Sequence, residues 1–156
     1  FLAGEFHLHG APWFPQRAVR DTRYKLIHNL MPGIVNPGHA FTLERFFGGL
    51  KDALATAPET VRAAYSLMEK PPAYELYDLQ EDPHEFINLA GQAKHKGTLA
   101  RLKANLQEWR ESTRDPMLDP RNVQQLKAEV EASFKDGKPD KNRLSLNYAD
   151  YFFAQP

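Results

Sequence analysis

Near the start of the chain, three side chains with metal-binding or acid–base chemistry alternate with other residues: Glu5, His7 and His9. On a β-strand, such side chains project from one face at a spacing of about 6–7 Å. Two imidazoles and a carboxylate are ligands that zinc and non-haem iron accept, so one hypothesis is a metal site. The alternatives are a polar strand face without a ligand, or a histidine pair that hydrogen-bonds an anion.

A second group of chemically useful residues is basic and follows a loop that contains Pro12 and Pro15. Arg17 lies just past this loop, and its planar guanidinium suits sulfate, phosphate or carboxylate. The basic residues that follow are more simply explained as solvated or paired with acidic side chains: Arg20, Arg23 and Lys25, with Asp21 and Glu75 as the expected partners.

The composition excludes several other kinds of site. The 156 residues include no cysteine, which excludes thiol catalysis and cysteine-bound metal within them. No serine lies in a Gly-x-Ser-x-Gly turn, and no glycine-rich phosphate loop is present. The 20 basic and 20 acidic residues cancel, which argues against a nucleic-acid partner or a polybasic membrane anchor. No stretch approaches the roughly 20 apolar residues that a membrane-spanning helix needs.

The elements that position these residues follow from the periodicity of apolar side chains. An alternation with period 2 predicts strands at 2–9, 16–20, 23–29 and 74–78, and the second and third form an antiparallel hairpin. We therefore expect an α+β fold with a small antiparallel sheet of about four strands. Apolar residues at helical spacing predict helices at 42–55, 58–69, 98–112 and 122–134.

Three further segments have informative sequences: the one that begins at Asp82, the first residues of the chain, and the one after Asp136. The segment Asp82-Pro83-His84-Glu85 has the residues of a helix start, including a capping box. The chain opens inside an alternating pattern without an initiator Met, which predicts the C-terminal part of a longer protein. The segment after Asp136 is rich in apolar and aromatic residues that we expect to pack on another surface: Leu144, Leu146, Tyr148, Tyr151, Phe152 and Phe153.

Four segments, taken in order, resemble the C-terminal region of type I sulfatases, and most closely the N-sulfoglucosamine sulfohydrolase (heparan N-sulfatase) branch with its bacterial relatives. The segments are F-H-L-H at 6–9, P-Q-R-A-V-R-D-T-R-Y-K-L-I-H-N-L at 15–30, E-L-Y-D-L-Q-E-D-P-H-E-F-I-N-L-A at 75–90 and E-W-R-E-S-T-R-D-P at 108–116. The resemblance covers residues 1–120. It divides the chain into a sulfatase C-terminal subdomain at 1–120, with a helical insertion at 30–73, and a helix with an aromatic tail at 121–156.

The resemblance implies a small α+β subdomain, an antiparallel sheet with a long helix packed on it. In the family, this subdomain closes one side of the active-site pocket of a larger N-terminal catalytic domain of the alkaline-phosphatase-like fold. The chemistry is hydrolysis of sulfate esters or sulfamates by a formylglycine, formed in a Cys/Ser-x-Pro-x-Arg motif, beside a calcium ion. Neither that motif nor the calcium ligands occur here. The resemblance therefore implies that this chain binds no cofactor and carries no catalytic residue, and that it is inactive alone.

The resemblance assigns substrate-binding roles to three residues. His7 matches a histidine that lies near the family's pocket, His9 matches a more variable position, and Arg17 matches the first arginine of the R-A-V-R segment. Leu8 departs from the glutamate common in the family. The other matching residues are expected to fold the subdomain: Tyr24, Lys25, Leu76, Tyr77, Asp78, Asp82, Pro83 and Glu85.

Three functions follow as hypotheses. The first is a pocket-forming subdomain of a periplasmic or secreted sulfatase, with a sulfated small molecule or glycan as substrate and the aromatic tail as a candidate contact between subunits. The second is a stand-alone module that binds anionic glycans. The third is a small metal-binding protein that uses Glu5, His7 and His9.

Overall fold

A computed structural model describes residues 14–36, 39, 49–136 and 138–140 of the chain. Its centre is a three-stranded antiparallel sheet in the order β1 (Gln16–Arg20), β2 (Tyr24–Asn29), β3 (Tyr74–Asp78). The strands match the sequence prediction closely, and β2 begins one residue later than expected. The first predicted strand, at 2–9, lies outside the described residues.

Four helices and two short 3-10 turns accompany the sheet in the described part of the chain. The helices are α1 (Leu50–Thr56), α2 (Glu59–Glu69), α3 (Lys96–Ser112) and α4 (Pro120–Ala132). The 3-10 turns are Ala93–His95, directly before α3, and Pro116–Leu118, between α3 and α4. A short hairpin of β4 (Phe134–Lys135) and β5 (Lys138–Pro139) follows α4. The fold is therefore α+β, with a small antiparallel sheet, as predicted.

The register of the sheet places apolar residues of all three strands next to each other. Leu26 of the central strand pairs with Val19 on one side and with Leu76 on the other. These three side chains are buried against Leu102 and Leu106 of α3, which is the helix that covers this face of the sheet. The apolar stripe predicted for this helix is confirmed, because Leu99 and Trp109 pack against the same cluster.

A second hydrophobic core lies between α4 and the residues that directly precede β1 and directly follow β2. Phe14 and Met31 are buried together with Leu126 and Val130 of α4. Asp119 caps α4 by accepting a hydrogen bond from the amide of Arg121, and Pro120 occupies the first turn. This cap starts the helix two residues earlier than predicted. Its last turn ends at Ala132, so that Phe134 belongs to β4 while still packing on this core.

The predicted helix start at Asp82 is wrong, because this segment forms a turn and α3 begins only at Lys96. The carboxylate of Asp82 accepts from the amide of Ile87 at 2.7 Å, five residues ahead, which is not capping-box geometry. Glu85 has a left-handed backbone with φ of 58° and directs its carboxylate to Lys25 at 2.7 Å. The segment therefore forms a turn that contacts the central strand β2, although its sequence is typical of a helix start.

Two of the ion pairs suggested by the sequence also differ in the structure. Arg23 binds Asp78 at 2.7 Å, and Lys25 binds Glu85, so that neither uses the expected partners Asp21 and Glu75. Asp21 instead accepts from the amides of Arg23 and Tyr24 and closes the turn between β1 and β2. These pairs connect residues far apart in sequence, which local spacing does not specify.

The helical segment between β2 and β3 differs from the rest of the fold in its burial. No residue of α1 or α2 is buried, and the side chain of Met68 in α2 is 37% exposed. α2 begins at Glu59, with Pro58 as its N-cap residue. The part of the predicted helix 42–55 that precedes Gly49 lies outside the described residues.

Within the described ranges, no helix combines the length and the apolar character needed to cross a membrane.

Candidate functional site

Of the three residues predicted to bind substrate, the structure describes Arg17. His7 and His9 lie outside the described residues, as does Glu5 of the metal hypothesis. Over the ranges that the structure does describe, no group of three or more His, Asp or Glu side chains could hold a metal ion. The metal hypothesis therefore stays a prediction about the segment before Phe14.

Arg17 is buried, with 3% of its surface exposed, at the start of β1. Its Nε and Nη2 atoms donate to the two carboxylate oxygens of Asp115 at 2.9 and 2.7 Å. Its Nη1 atom donates to the backbone carbonyl of Gln16 at 3.1 Å. This bidentate pair is the arrangement in which a guanidinium is most firmly oriented.

Asp115 connects three elements through its carboxylate. In addition to Arg17 of β1, it accepts from Nε of Arg110, at the end of α3, at 2.7 Å. It also accepts from the amide of Met117 and so caps the 3-10 turn that leads towards α4. Burial by itself would raise the pKa of Asp115, but the hydrogen bonds from Arg17 and Arg110 outweigh burial and lower it. The carboxylate is therefore ionised at neutral pH.

His28 lies directly opposite Arg17 in the register of β1 and β2 and on the same face of the sheet. Its ring stacks on Tyr74 of β3, with 4.5 Å between the ring centroids and 16° between their planes. Burial is the main reason that the pKa of His28 falls to about 4, and the positive charges of Arg110, Lys103 and Arg17 lower it further. At neutral pH this imidazole is therefore uncharged.

The opposite face of the sheet carries a chain of polar side chains at the same end. Gln16 donates to Asn29 at 2.6 Å, and the amide of Asn29 donates to Glu75 at 2.6 Å. The hydroxyl of Tyr77 donates to the other oxygen of Glu75. Burial, followed by the charge of Glu75, raises the pKa of Tyr77, so the phenol stays protonated and remains a donor. This network fixes the three strands relative to each other.

The sequence interpretation missed Arg110, Asp115 and His28 as members of the group around Arg17. One signal existed for Arg110, which follows Leu102 and Leu106 at helical spacing and therefore lies on the buried stripe of α3. A charged residue on such a stripe requires a buried partner. Nothing local identified Asp115 as that partner for Arg17, since 98 residues separate them.

This geometry has chemical consequences for Arg17. Both oxygens of Asp115 are engaged by guanidinium donors, so the arginine is held rigidly by a buried carboxylate. Such a residue orients the start of β1 and contributes positive potential to its surroundings.

The serine hydroxyls with described hydrogen bonds, on Ser112 and Ser133, donate to backbone carbonyls of their own helices.

Comparison with protein-family models finds no match for this chain, and a search of curated proteins finds no match either.

Proposed function

We propose that this chain is the C-terminal subdomain of a sulfatase that hydrolyses sulfate esters or sulfamates of the N-sulfoglucosamine type. In this proposal, a preceding catalytic domain supplies the formylglycine nucleophile and the calcium site. The present residues complete one side of the substrate pocket. The enzyme would be periplasmic or secreted, and its substrate a sulfated small molecule or glycan.

The observation that supports the proposal is that the segments resembling the sulfatase C-terminal region contact one another in the structure. The segments at 15–30 and 75–90 supply β1, β2 and all of β3 except its first residue, Tyr74. The segment at 108–116 ends α3 and contributes the carboxylate of Asp115 to Arg17. Residues that carry the resemblance thus contact one another, Lys25 with Glu85 being a second case. A small antiparallel sheet covered by a long helix is the architecture that the resemblance implies.

The geometry of Arg17 refines the roles expected in the pocket. Because Asp115 binds its guanidinium bidentately, we assign Arg17 a positioning role at the entrance to β1. Phe14, three residues earlier, is buried in the core that includes α4, so the chain is fixed on both sides of Pro15. His9 lies only five residues before Phe14 in the sequence. In this proposal, His7 and His9 are therefore the substrate-binding candidates, and Arg17 anchors the chain that follows them.

The proposal is tested with the full-length polypeptide that contains this chain. It predicts a Cys/Ser-x-Pro-x-Arg motif upstream of Phe1 and release of inorganic sulfate from 4-nitrophenyl sulfate or from N-sulfoglucosamine. The matched control replaces the Cys or Ser of that motif by Ala, which removes the formylglycine precursor and should abolish sulfate release. A full-length protein without the motif and without either activity would overturn the proposal.

A further inference from the structure

The two outer edges of the described sheet differ in their hydrogen bonding. On β3, the backbone groups that point away from β2 are bonded by the segment that follows the strand. The side-chain oxygen of Asn88 accepts from the amide of Leu76 at 3.0 Å, and its nitrogen donates to the carbonyl of Tyr74 at 3.2 Å. The amide of Leu89 donates to the carbonyl of Leu76 at 2.8 Å. This edge is therefore closed to a further strand.

The outer edge of β1 has no such cover among the described residues. In an antiparallel pair, every second residue exchanges hydrogen bonds with the partner strand. The amide of Asp21 donates to the carbonyl of Tyr24 at 2.9 Å, which sets this alternation along the hairpin. The backbone groups of Ala18 and Arg20 therefore point away from β2, and no described residue bonds to them there. Such an edge is the usual place for another strand to pair.

The position of α3 leaves space for a strand next to β1. α3 packs more extensively on β1 than on β2, although β2 is the middle strand of the described sheet. Arg101, on one side of the helix, pairs with Asp21 after β1, and Lys103, on the other side, contacts Tyr74 of β3. Because a helix is about 10 Å wide and strands are about 4.8 Å apart, a helix placed in this way extends past β1 and would cover a further strand.

The segment that directly precedes β1 suits this position. Its predicted strand, 2–9, is followed by the connection 10–15 and then by Gln16. Sequential strands with a short connection usually pair as antiparallel neighbours. Apolar and polar residues alternate along the segment, so that one face suits the space beneath α3 and the other suits the opposite face of the sheet. The apolar set is Leu2, Phe6 and Leu8, and the polar set is Glu5, His7 and His9.

From these observations we propose that residues 2–9 pair with the outer edge of β1, with the apolar set beneath α3 and Arg20 as a positioning residue for the polar set. The polar set then shares the face of the sheet that is turned away from α3. The register in which residues 10–15 form the whole connection gives three pairs: His9 with Gln16, His7 with Ala18 and Glu5 with Arg20.

The pair of Glu5 with Arg20 is complementary in charge. Arg20 is exposed, and no carboxylate of the described residues forms an ion pair with it. Lys25, which lies opposite Arg20 on β2, is already paired with Glu85. Opposite charges directly across two strands attract each other, so Arg20 binds Glu5 and fixes the register of the two histidines. A glutamate engaged in this way is not available to a metal ion.

The consequence for substrate rests on the proposed function. Ala18 carries a single methyl group, so the imidazole of His7 opposite it is left accessible on the face turned away from α3. Arg17 lies on the other face, where Asp115 binds it. In the proposed sulfatase, Arg20 acts on substrate binding only through Glu5 and the position of the histidines.

Hydrogen–deuterium exchange, resolved to single amides of the purified protein, tests the pairing. The amides of Ala18 and Arg20 should exchange at least about tenfold more slowly than exposed amides, to the same degree at all protein concentrations. Fast exchange at both amides would overturn the proposal, because the edge would then be free. Protection that grows with protein concentration would also overturn it, since a second copy would then occupy the edge.

An exchange of charges tests the register. Glu5→Arg and Arg20→Glu should each speed up exchange at the amide of Ala18, and the double variant should restore slow exchange. The control combines Glu5→Arg with Lys51→Glu, at an exposed lysine of α1; it has the same net charge as the double variant and should restore nothing. A double variant that does not recover, or a control that recovers equally, would overturn the pairing of Glu5 with Arg20.

Hydrolysis of 4-nitrophenyl sulfate separates this inference from the proposed function. In the proposed sulfatase, KM should rise in both single variants and recover in the double variant, with kcat changing less. Recovery of amide protection in a protein without hydrolysis would refute the proposed function alone and would support the strand pairing. Hydrolysis with a KM that does not follow amide protection would overturn the positioning role of Arg20.

Discussion

Arg17 and Asp115, 98 residues apart in sequence, form a buried bidentate ion pair with N–O distances of 2.9 and 2.7 Å. The pair joins the first strand of the sheet to the turn that leads towards α4. Arg110 of α3 shares the same carboxylate, so one acidic side chain holds two guanidinium groups in the interior. The pair fixes the start of β1 against the end of α3 in the interior of the fold.

Replacing Asp115 by Asn should strongly destabilise the protein, because two buried guanidinium groups would lose their ionised partner. The expected loss is about 3–5 kcal/mol in the free energy of unfolding, measured by urea denaturation. The matched control is Asp119→Asn, which weakens a pair with the exposed Arg121 but keeps a residue that can cap α4. Equal effects of the two substitutions would contradict the central role assigned to Asp115.

The pH dependence of stability should show the titration of His28. Its pKa is about 4 in the folded protein and near 6.5 when unfolded, so the unfolded state binds more protons between these values. Stability should therefore fall as the pH is lowered from about 6.5 to about 4. Urea denaturation at pH 7 and pH 5 tests this expectation.

Two histidine variants separate this effect from the other titrating groups. His28→Gln should reduce the stability difference between pH 7 and pH 5, because the group that takes up the proton on unfolding is gone. His84→Gln, at an exposed position, should leave the difference unchanged. An identical pH profile in all three proteins would show that His28 does not carry the effect.

The sheet-facing stripe of α3 should be highly sensitive to truncation. Leu106→Ala would leave a cavity beside Leu26 and Leu76, and we expect a loss of about 2–5 kcal/mol in the free energy of unfolding. Ile87→Ala is the control, since Ile87 is 49% exposed and should change stability by about 0.5 kcal/mol or less. Thermal unfolding of the two variants ranks them, and a smaller effect at Leu106 would contradict the described packing.

In the sulfatase that we propose, His7→Ala should raise KM for a sulfated substrate more than it lowers kcat. The expected reason is loss of a hydrogen bond from the imidazole to a sulfate or sugar oxygen. Because protonation of a histidine strengthens such a bond as the pH falls towards about 6, the wild type should bind substrate better at acidic pH and the variant should lose this dependence. Steady-state kinetics from pH 5 to pH 8 measure both effects, with His84→Ala as the control. Unchanged kinetics in His7→Ala would contradict the assignment.

The sequence predicted the parts of the fold that depend on local periodicity. The strands at 16–20 and 74–78 and the stripe through Leu102 and Leu106 follow from patterns within a few residues, and the structure confirms them. The helix predicted from Asp82 is a turn in the structure, and in that turn Glu85 binds Lys25, 60 residues earlier. Contacts at such separations depend on how the elements pack.

The group around Arg17 depends mainly on contacts between residues far apart in the sequence. The chemistry of a guanidinium indicated Arg17 as an anion-binding group; in the structure Arg17 binds the carboxylate of Asp115, and its contact with substrate stays a prediction. That this carboxylate belongs to Asp115 could not be predicted, because the packing of α3 on the sheet brings Asp115 next to β1. The low pKa of His28 likewise arises from burial against Tyr74 and from charges on other elements. The roles of His7 and His9 stay predictions.

The most direct test of the proposed function is mass spectrometry of the purified full-length protein together with an assay of 4-nitrophenyl sulfate hydrolysis. We expect a polypeptide longer than 156 residues, with a formylglycine at the Cys or Ser of a Cys/Ser-x-Pro-x-Arg motif, that releases nitrophenol and sulfate. A folded protein of these 156 residues alone, without formylglycine and without hydrolysis, would contradict it.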